Sequence, residues 1–205
     1  MKKEVFYEGY LEDMLETRLY TFSHKMLSDT AKGIQALHSA VEMFNIYVPN
    51  PSNGDEVRVG NTPQNDPNSI LWRWSNIDKT SILLDGGFSD SLQELESDLI
   101  EVKSVYPWAS FREDESLNKA LTSVSIVLTE KIYNTAADIR AKAINFNNGE
   151  VKVLNWEEYN DSFSLYKYEE KVIQYIKYGS FSNIEQKLVL LLSKSRLAWK
   201  KVLTQ

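Results

Sequence analysis

The chain has 205 residues and a mass of 23.6 kDa, room for one full-sized domain with appended structure or for two small ones. Apolar residues at 42%, charged residues at 25%, no cysteine and only His24 and His38 exclude a disordered chain, disulfides and a structural zinc, so no cofactor or metal is expected. The net charge of −6 divides into 11 Lys+Arg against 21 Asp+Glu over residues 1–130 (11 − 21 = −10) and 12 against 8 over residues 131–205 (+4), an acidic body poorly suited to extended nucleic acid.

Residues 1–17 read as an N-terminal arm. Met1-Lys2-Lys3 leads into Glu4-Val5-Phe6-Tyr7-Glu8, not into the apolar stretch of a signal peptide. Nowhere does the chain approach the roughly 18 apolar residues of a membrane span, so a soluble, cytoplasmic protein without a membrane partner is expected. Arg18 to Ser23 alternates apolar and polar residues and predicts a half-buried strand. In the turn-prone stretch that follows, Ser28, Asp29 or Thr30 can cap a helix. That helix carries Ile34, Leu37, Val41 and Phe44 at spacings of three and four, which predicts its core face. A polar stripe, Gln35, His38, Glu42 and Asn45, runs beside it and is expected to open into a cleft.

Residues 49–68 hold four of the five prolines and read as a long loop insertion, with room for a small hairpin around Val57-Arg58-Val59. Ser69 to Asn76, with Trp72 and Trp74, predicts a short helical segment. Lys79 to Leu84 predicts a strand closing on Asp85-Gly86-Gly87. Ser89-Asp90-Ser91 starts a helix, with Ser91 and Glu94 at capping-box spacing and an inward stripe of Leu92, Leu95, Leu99 and Val102. Pro107 to Phe111 is a third strand, Arg112 to Asn118 a charged loop, and Leu121 to Leu128 a fourth strand. This order predicts an α/β fold with a four-stranded mixed sheet and flanking helices. Residues 135–205 read as a helical C-terminal extension built on Leu165 to Tyr178 and on a helix opened by a Ser182/Glu185 capping box. The run Leu188 to Leu192 is apolar on nearly every side, so burial against the body or another subunit is expected, and with it a homo-oligomer, dimer or higher.

Lys25-Met26 after the first strand, followed by Gln35 and His38 three residues apart on the helix, resembles the opening of the archaeal and eukaryotic type (type II) peptidyl-tRNA hydrolases. A closer resemblance is to a bacteriophage protein family carrying Leu27-Ser28, Lys32-Gly33-Ile34-Gln35, His38, Lys79-Thr80, Asp85-Gly86-Gly87, Phe111-Arg112-Glu113, Leu117-Asn118 and Ala120-Leu121-Thr122. The likeness spans residues 18–134 and implies a hydrolase-like α/β domain there, interrupted by the 49–68 insertion. Ala31 stands where the hydrolases place a second lysine. Lys32 comes one position later, turning the ammonium by about 100° around the helix. Arg112 to Ser116 replaces their Asp-Ala-Gly segment. Catalysis tolerates such displacements less well than binding does.

The resemblance therefore implies a phage-type protein that binds a small nucleotide, sequestering a nucleotide or ADP-ribose-derived bacterial immune signal in the infected cell. Its implied ligand contacts are Lys25, Lys32, Gln35, His38 and Glu42 from the first half of the domain. Asp85, Gly86, Arg112, Asn118 and Thr122 complete the set. The alternative is a metal-independent hydrolase of the same fold, with His38 and Glu113 as acid and base, acting on a cyclic-nucleotide signal or on the ester of peptidyl-tRNA.

Overall fold

A computed structural model describes residues 16–48, 66–113, 119–147, 150–155 and 181–195. The alternating segment forms β1 (Thr17–Ser23). The chain continues through α1 (Asp29–Tyr47), α2 (Pro67–Arg73), a π-helical turn over Trp74–Asp78, β2 (Ser81–Asp85), α3 (Ser89–Ile100), β3 (Trp108–Arg112) and β4 (Leu121–Thr129). The sheet has the order β2-β1-β4-β3, with β1 parallel to β2 and β4 antiparallel to both of its neighbours. Strands β1, β2 and β3 thus run in one direction, helices supplying the crossovers that parallel strands require. Their C-terminal ends share an edge with the start of β4. The N-terminal arm before Glu16, the 49–65 part of the loop insertion with its Val57 to Val59 hairpin, and the Leu165 to Tyr178 helix lie outside the described residues.

Every residue of β4 is buried, as befits a strand paired on both sides with helices packed on the sheet. Leu92, Leu95 and Leu99 of α3 are buried as their spacing predicts, and Val102 just beyond the helix is buried with them.

Helix α1 overturns the prediction made for it. Its buried positions are Lys32, Gln35, Ser39, Ala40 and Met43, while Ile34, Leu37 and Val41 face outward at 49%, 64% and 48% exposure. The reason lies in the strands beneath. Thr21 of β1 and Ser123 and Ser125 of β4 are buried hydroxyls, and a dry hydroxyl without a partner is costly. Thr21 Oγ1 lies 2.6 Å from Ser125 Oγ, which lies 2.6 Å from Ser39 Oγ; Ser39 in turn donates to the carbonyls of Gln35 and Ala36 at 3.2 and 3.1 Å. One direction satisfies all three hydroxyls: Thr21 donates to Ser125, Ser125 to Ser39, and Ser39 to the helix backbone. Ser123 Oγ adds a bond to the Gln35 carbonyl at 2.8 Å. An apolar helix face would strand these groups.

The capping box predicted for α3 is also corrected. The helix opens at Ser89, with Phe88 at the N-cap and no side-chain cap. Ser91 is already inside the first turn. Gly87, at φ +73°, occupies the left-handed region, and a Cβ there would lie 2.9 Å from Ser91 Oγ.

Beyond Thr129 the chain forms a second unit, from Glu130 to Ser195. It contains α4 (Glu130–Ala141), the antiparallel pair β5 (Lys142–Asn147) and β6 (Glu150–Asn155), and α5 (Asn183–Lys194). The Ser182/Glu185 capping box is formed. Helices α4 and α5 pack together, with Ile132, Ala136, Leu188, Val189 and Leu192 buried. Lys131 Nζ reaches Glu185 at 3.1 Å and stands 4.6 Å above the Phe181 ring. The hairpin is an addition to the expected helices. Its register pairs Asn147 with Glu150.

Candidate functional site

The carboxyl ends of parallel strands are where α/β sheets present ligands, because the connections leaving them diverge around a crevice. In this fold that rim gathers His24 and Lys25 after β1, Asp85-Gly86-Gly87 after β2, Arg112 and Glu113 at the end of β3, and Thr122 at the start of β4. Backbone bonds stitch it together: His24 N–H to Thr122 O at 2.9 Å, Gly86 N–H to Ser23 O at 2.8 Å, and Lys25 N–H to Gly87 O at 2.7 Å. Asp85 Oδ1 accepts from Gly87 N–H at 2.9 Å, so this carboxylate shapes the loop. A Cβ on Gly86 would stand 2.6 Å from Leu92 Cδ2 and 3.0 Å from Ser23 O, which makes close packing the reason for glycine there.

Several sequence-predicted site residues turn inward. Gln35 is 7% exposed; its amide donates to Glu113 Oε2 at 3.0 Å, and its Oε1 lies 2.9 Å from Thr122 Oγ1. Thr122, 1% exposed, shares its hydroxyl proton between Gln35 and the Phe111 carbonyl at 3.2 Å. Gln35, Glu113 and Thr122 thus form one bonded group that fastens α1 to the β3–β4 end of the sheet. Lys32 is buried, with its Nζ 3.3 Å from the exposed carboxylate of Asp29.

His38 is half-buried with its ring 4.5 Å, centroid to centroid, from Phe111, and its buried Nδ1 has no hydrogen-bond partner. Glu42, one turn farther along α1, therefore does not orient the ring through that nitrogen. Arg112 forms an ion pair with Glu96 of α3, which also accepts from Ser110 Oγ. Asn118 lies outside the described residues. Lys25 is exposed on the rim.

Three residues that sequence reasoning missed stand with Lys25. Phe88 is 55% exposed, an unusual position for a large aromatic, and the Lys25 ammonium lies 5.7 Å from its ring centroid. His24 meets Phe88 edge-on, with centroids 6.1 Å apart, and its Nε2 lies 3.3 Å from Ser89 Oγ. The Met26 N–H donates to His24 Nδ1 at 3.3 Å, which in the neutral ring leaves the proton on Nε2. His24 then donates to Ser89, the reverse of a serine nucleophile handing its proton to histidine. Ser89 keeps its own proton to donate outward, beside the first turn of α3. The signal for these residues was positional: His24 directly follows the end of β1, and Phe88 and Ser89 come in turn after the glycine pair that follows β2.

Among the described residues, no group of three or more His, Asp or Glu side chains could hold a metal ion, and no helix is long and apolar enough to cross a membrane. Comparison with the models of known protein families and with curated proteins finds no match for this chain.

Proposed function

We propose that this chain binds a small nucleotide-type ligand at the carboxyl rim of its sheet, sequestering it in the manner of a phage protein that removes a nucleotide or ADP-ribose-derived immune signal. The observation that carries the reading is the pairing of an exposed aromatic ring, Phe88, with the Lys25 ammonium at the start of a helix that has no side-chain cap. A nucleotide offers the matching chemistry. Its base has a face to stack on Phe88, and its phosphate can take Lys25, Ser89 Oγ–H and the N–H groups of the first turn of α3. One focused site of this kind is compatible with an acidic body, whereas a polynucleotide needs an extended basic track. The strand–helix–strand–helix–strand–strand order is also what the resemblance to the type II hydrolases implies. Gln35, Thr122 and Glu113 enter this reading as the support that fixes α1, and the contacts are Lys25, Phe88 and Ser89.

The test is equilibrium binding to a panel of cyclic dinucleotides, ADP-ribose derivatives and mononucleotides, followed by recovery of the small molecules after heating. Intact ligand is expected. Stacking on an aromatic side chain contributes about 1–3 kcal/mol, so Phe88→Ala should weaken binding by about 5- to 150-fold with the fold unchanged. Lys25→Ala should act in the same direction. A panel without a binder at millimolar concentration, or a Phe88→Ala variant that binds as wild type, refutes the proposal. Cleaved ligand, or cleaved peptidyl-tRNA, would replace storage with the hydrolase alternative.

A further inference from the structure

The His24 backbone N–H is anchored on the Thr122 carbonyl at 2.9 Å, and the His24 carbonyl accepts from Leu27 N–H at 3.2 Å, closing a β-turn from His24 to Leu27 whose first central residue is Lys25. Lys25 N–H ties this turn to the Gly87 carbonyl at 2.7 Å. The imidazole braces the turn from the side. Its Nδ1 accepts from Met26 N–H at 3.3 Å, its Nε2 lies 3.3 Å from Ser89 Oγ, and the ring meets Phe88 edge-on. Both ring nitrogens are in use, and the two uses together fit only the neutral ring with its proton on Nε2. A second proton would convert Nδ1 from acceptor to donor and set two N–H groups against each other. We propose that protonation of His24 opens the His24–Leu27 turn and withdraws Lys25 from Phe88, so that the rim holds a ligand only while His24 is neutral.

The sign of this effect is opposite to that of charge alone. An added cation beside Lys25 would by itself strengthen the hold on an anion. Opening the turn weakens it, because the ammonium that stands 5.7 Å from the Phe88 ring centroid is no longer presented there. Nε2–H donates to Ser89 in either state, so that contact does not resist the change. The ring is held between Phe88 and Ser89, and the backbone of the turn is what gives way.

The charged groups on the elements that meet at this rim are Lys25 in the turn itself, Asp85 at the end of β2, Asp90 in the first turn of α3, Asp29 and Lys32 at the start of α1, and Arg112 and Glu113 at the end of β3. Asp85 accepts from Gly87 N–H, Glu113 from the Gln35 amide and Asp29 from Lys32, while Arg112 pairs with Glu96. Asp90 is exposed. None of these carboxylates accepts from the His24 ring, and Lys25 repels a charge on it. A proton on Nδ1 therefore meets the Met26 N–H. The effect on binding rests on the nucleotide reading of the rim; the opening of the turn does not, and the two are tested apart.

Nitrogen–proton correlation spectra of the free protein from about pH 8 to about pH 5 span the range in which a histidine changes charge. The Met26 amide loses its acceptor, and the Leu27 amide is bonded to the His24 carbonyl and not to the ring. Both should shift with the midpoint of the His24 ring protons. In His24→Asn, whose Oδ1 stands in the place of Nδ1 and takes no proton in this range, neither should shift, although His38, the other histidine, is still present. A Leu27 amide that stays still, or one that moves as in wild type after His24→Asn, overturns the proposal. Binding of cyclic AMP, whose phosphodiester keeps a single charge throughout, should weaken by about tenfold once the turn is closed in about one molecule in ten. His24→Asn should bind it equally at both ends of the range. Affinity that rises on acidification also overturns the proposal. Cyclic AMP that binds at neither end counts against the nucleotide reading alone, and the spectra then decide this one.

Discussion

Replacing Ser125 with alanine tests why α1 turns a polar face to the sheet. Ser125 is fully buried and is the middle link of the hydroxyl chain, receiving from Thr21 and donating to Ser39, each at 2.6 Å. Its loss leaves the two ends in different states. Ser39 still donates to the helix carbonyls and only forfeits a bond it accepted. Thr21, 2% exposed, loses its acceptor with no water to replace it. An orphaned buried donor costs about 1–3 kcal/mol. For a chain of this size each kcal/mol moves the melting temperature by about 2–4 °C, so a drop of about 2–12 °C is expected. The double variant Thr21→Val/Ser125→Ala removes the orphan with its acceptor. It should therefore be less destabilised than the sum of the two single variants, measured by denaturant titration followed by tryptophan fluorescence. A neutral or stabilising Ser125→Ala, or strictly additive single effects, would show that the chain of hydroxyls does not hold the helix in its orientation.

Gly86→Ala should destabilise the first unit by about 1–3 kcal/mol, since the new Cβ would press within 2.6 Å of Leu92 Cδ2 and 3.0 Å of the Ser23 carbonyl; a thermal melt identical to wild type contradicts this. In the second unit, burial pushes the Glu185 carboxyl up, but the Ser182 N–H and the Lys131 ammonium outweigh it and hold the group below the ordinary carboxylate range. A depressed folded value means that the stabilisation is present above the unfolded carboxylate range and is lost as pH falls through the folded one. The stability of this unit should decline on acidification in that window, and Glu185→Gln should flatten the decline; an unchanged pH slope in the variant would assign the effect to another group.

The four strands and their sequence along the chain were legible because strands announce themselves by alternation and by Gly or Pro at their ends, as in Arg18 to Ser23 and Ile82 to Gly87; their spatial order in the sheet was not. The orientation of α1 was not. A 3–4 spacing identifies an apolar face but does not say what that face meets, and only the hydroxyls of Thr21, Ser123 and Ser125, distant in sequence, decide that the polar side goes inward. The same long-range bonding drew Gln35 and Thr122 out of the expected cleft and into the support beneath it. Phe88 and Ser89 were not read as site residues because the Ser91/Glu94 spacing drew attention to a capping box, whereas the helix opens at Ser89 with Phe88 at its N-cap. The hairpin of β5 and β6 could have been found from Asn148-Gly149, whose signal was lost among the helical segments on either side.

The place of β4 between β1 and β3 has a consequence for synthesis. Of the four strands it is translated last, with Leu121 emerging 98 residues after Ser23 (121 − 23). At about 5–20 residues per second, roughly 5–20 s pass during which the inner edge of β1 offers unpaired backbone to other nascent chains, whereas β3, which ends nine residues before Leu121 (121 − 112), waits only about 0.5–2 s. Until the ribosome releases that last strand, the growing polypeptide has two sheet halves and no keystone.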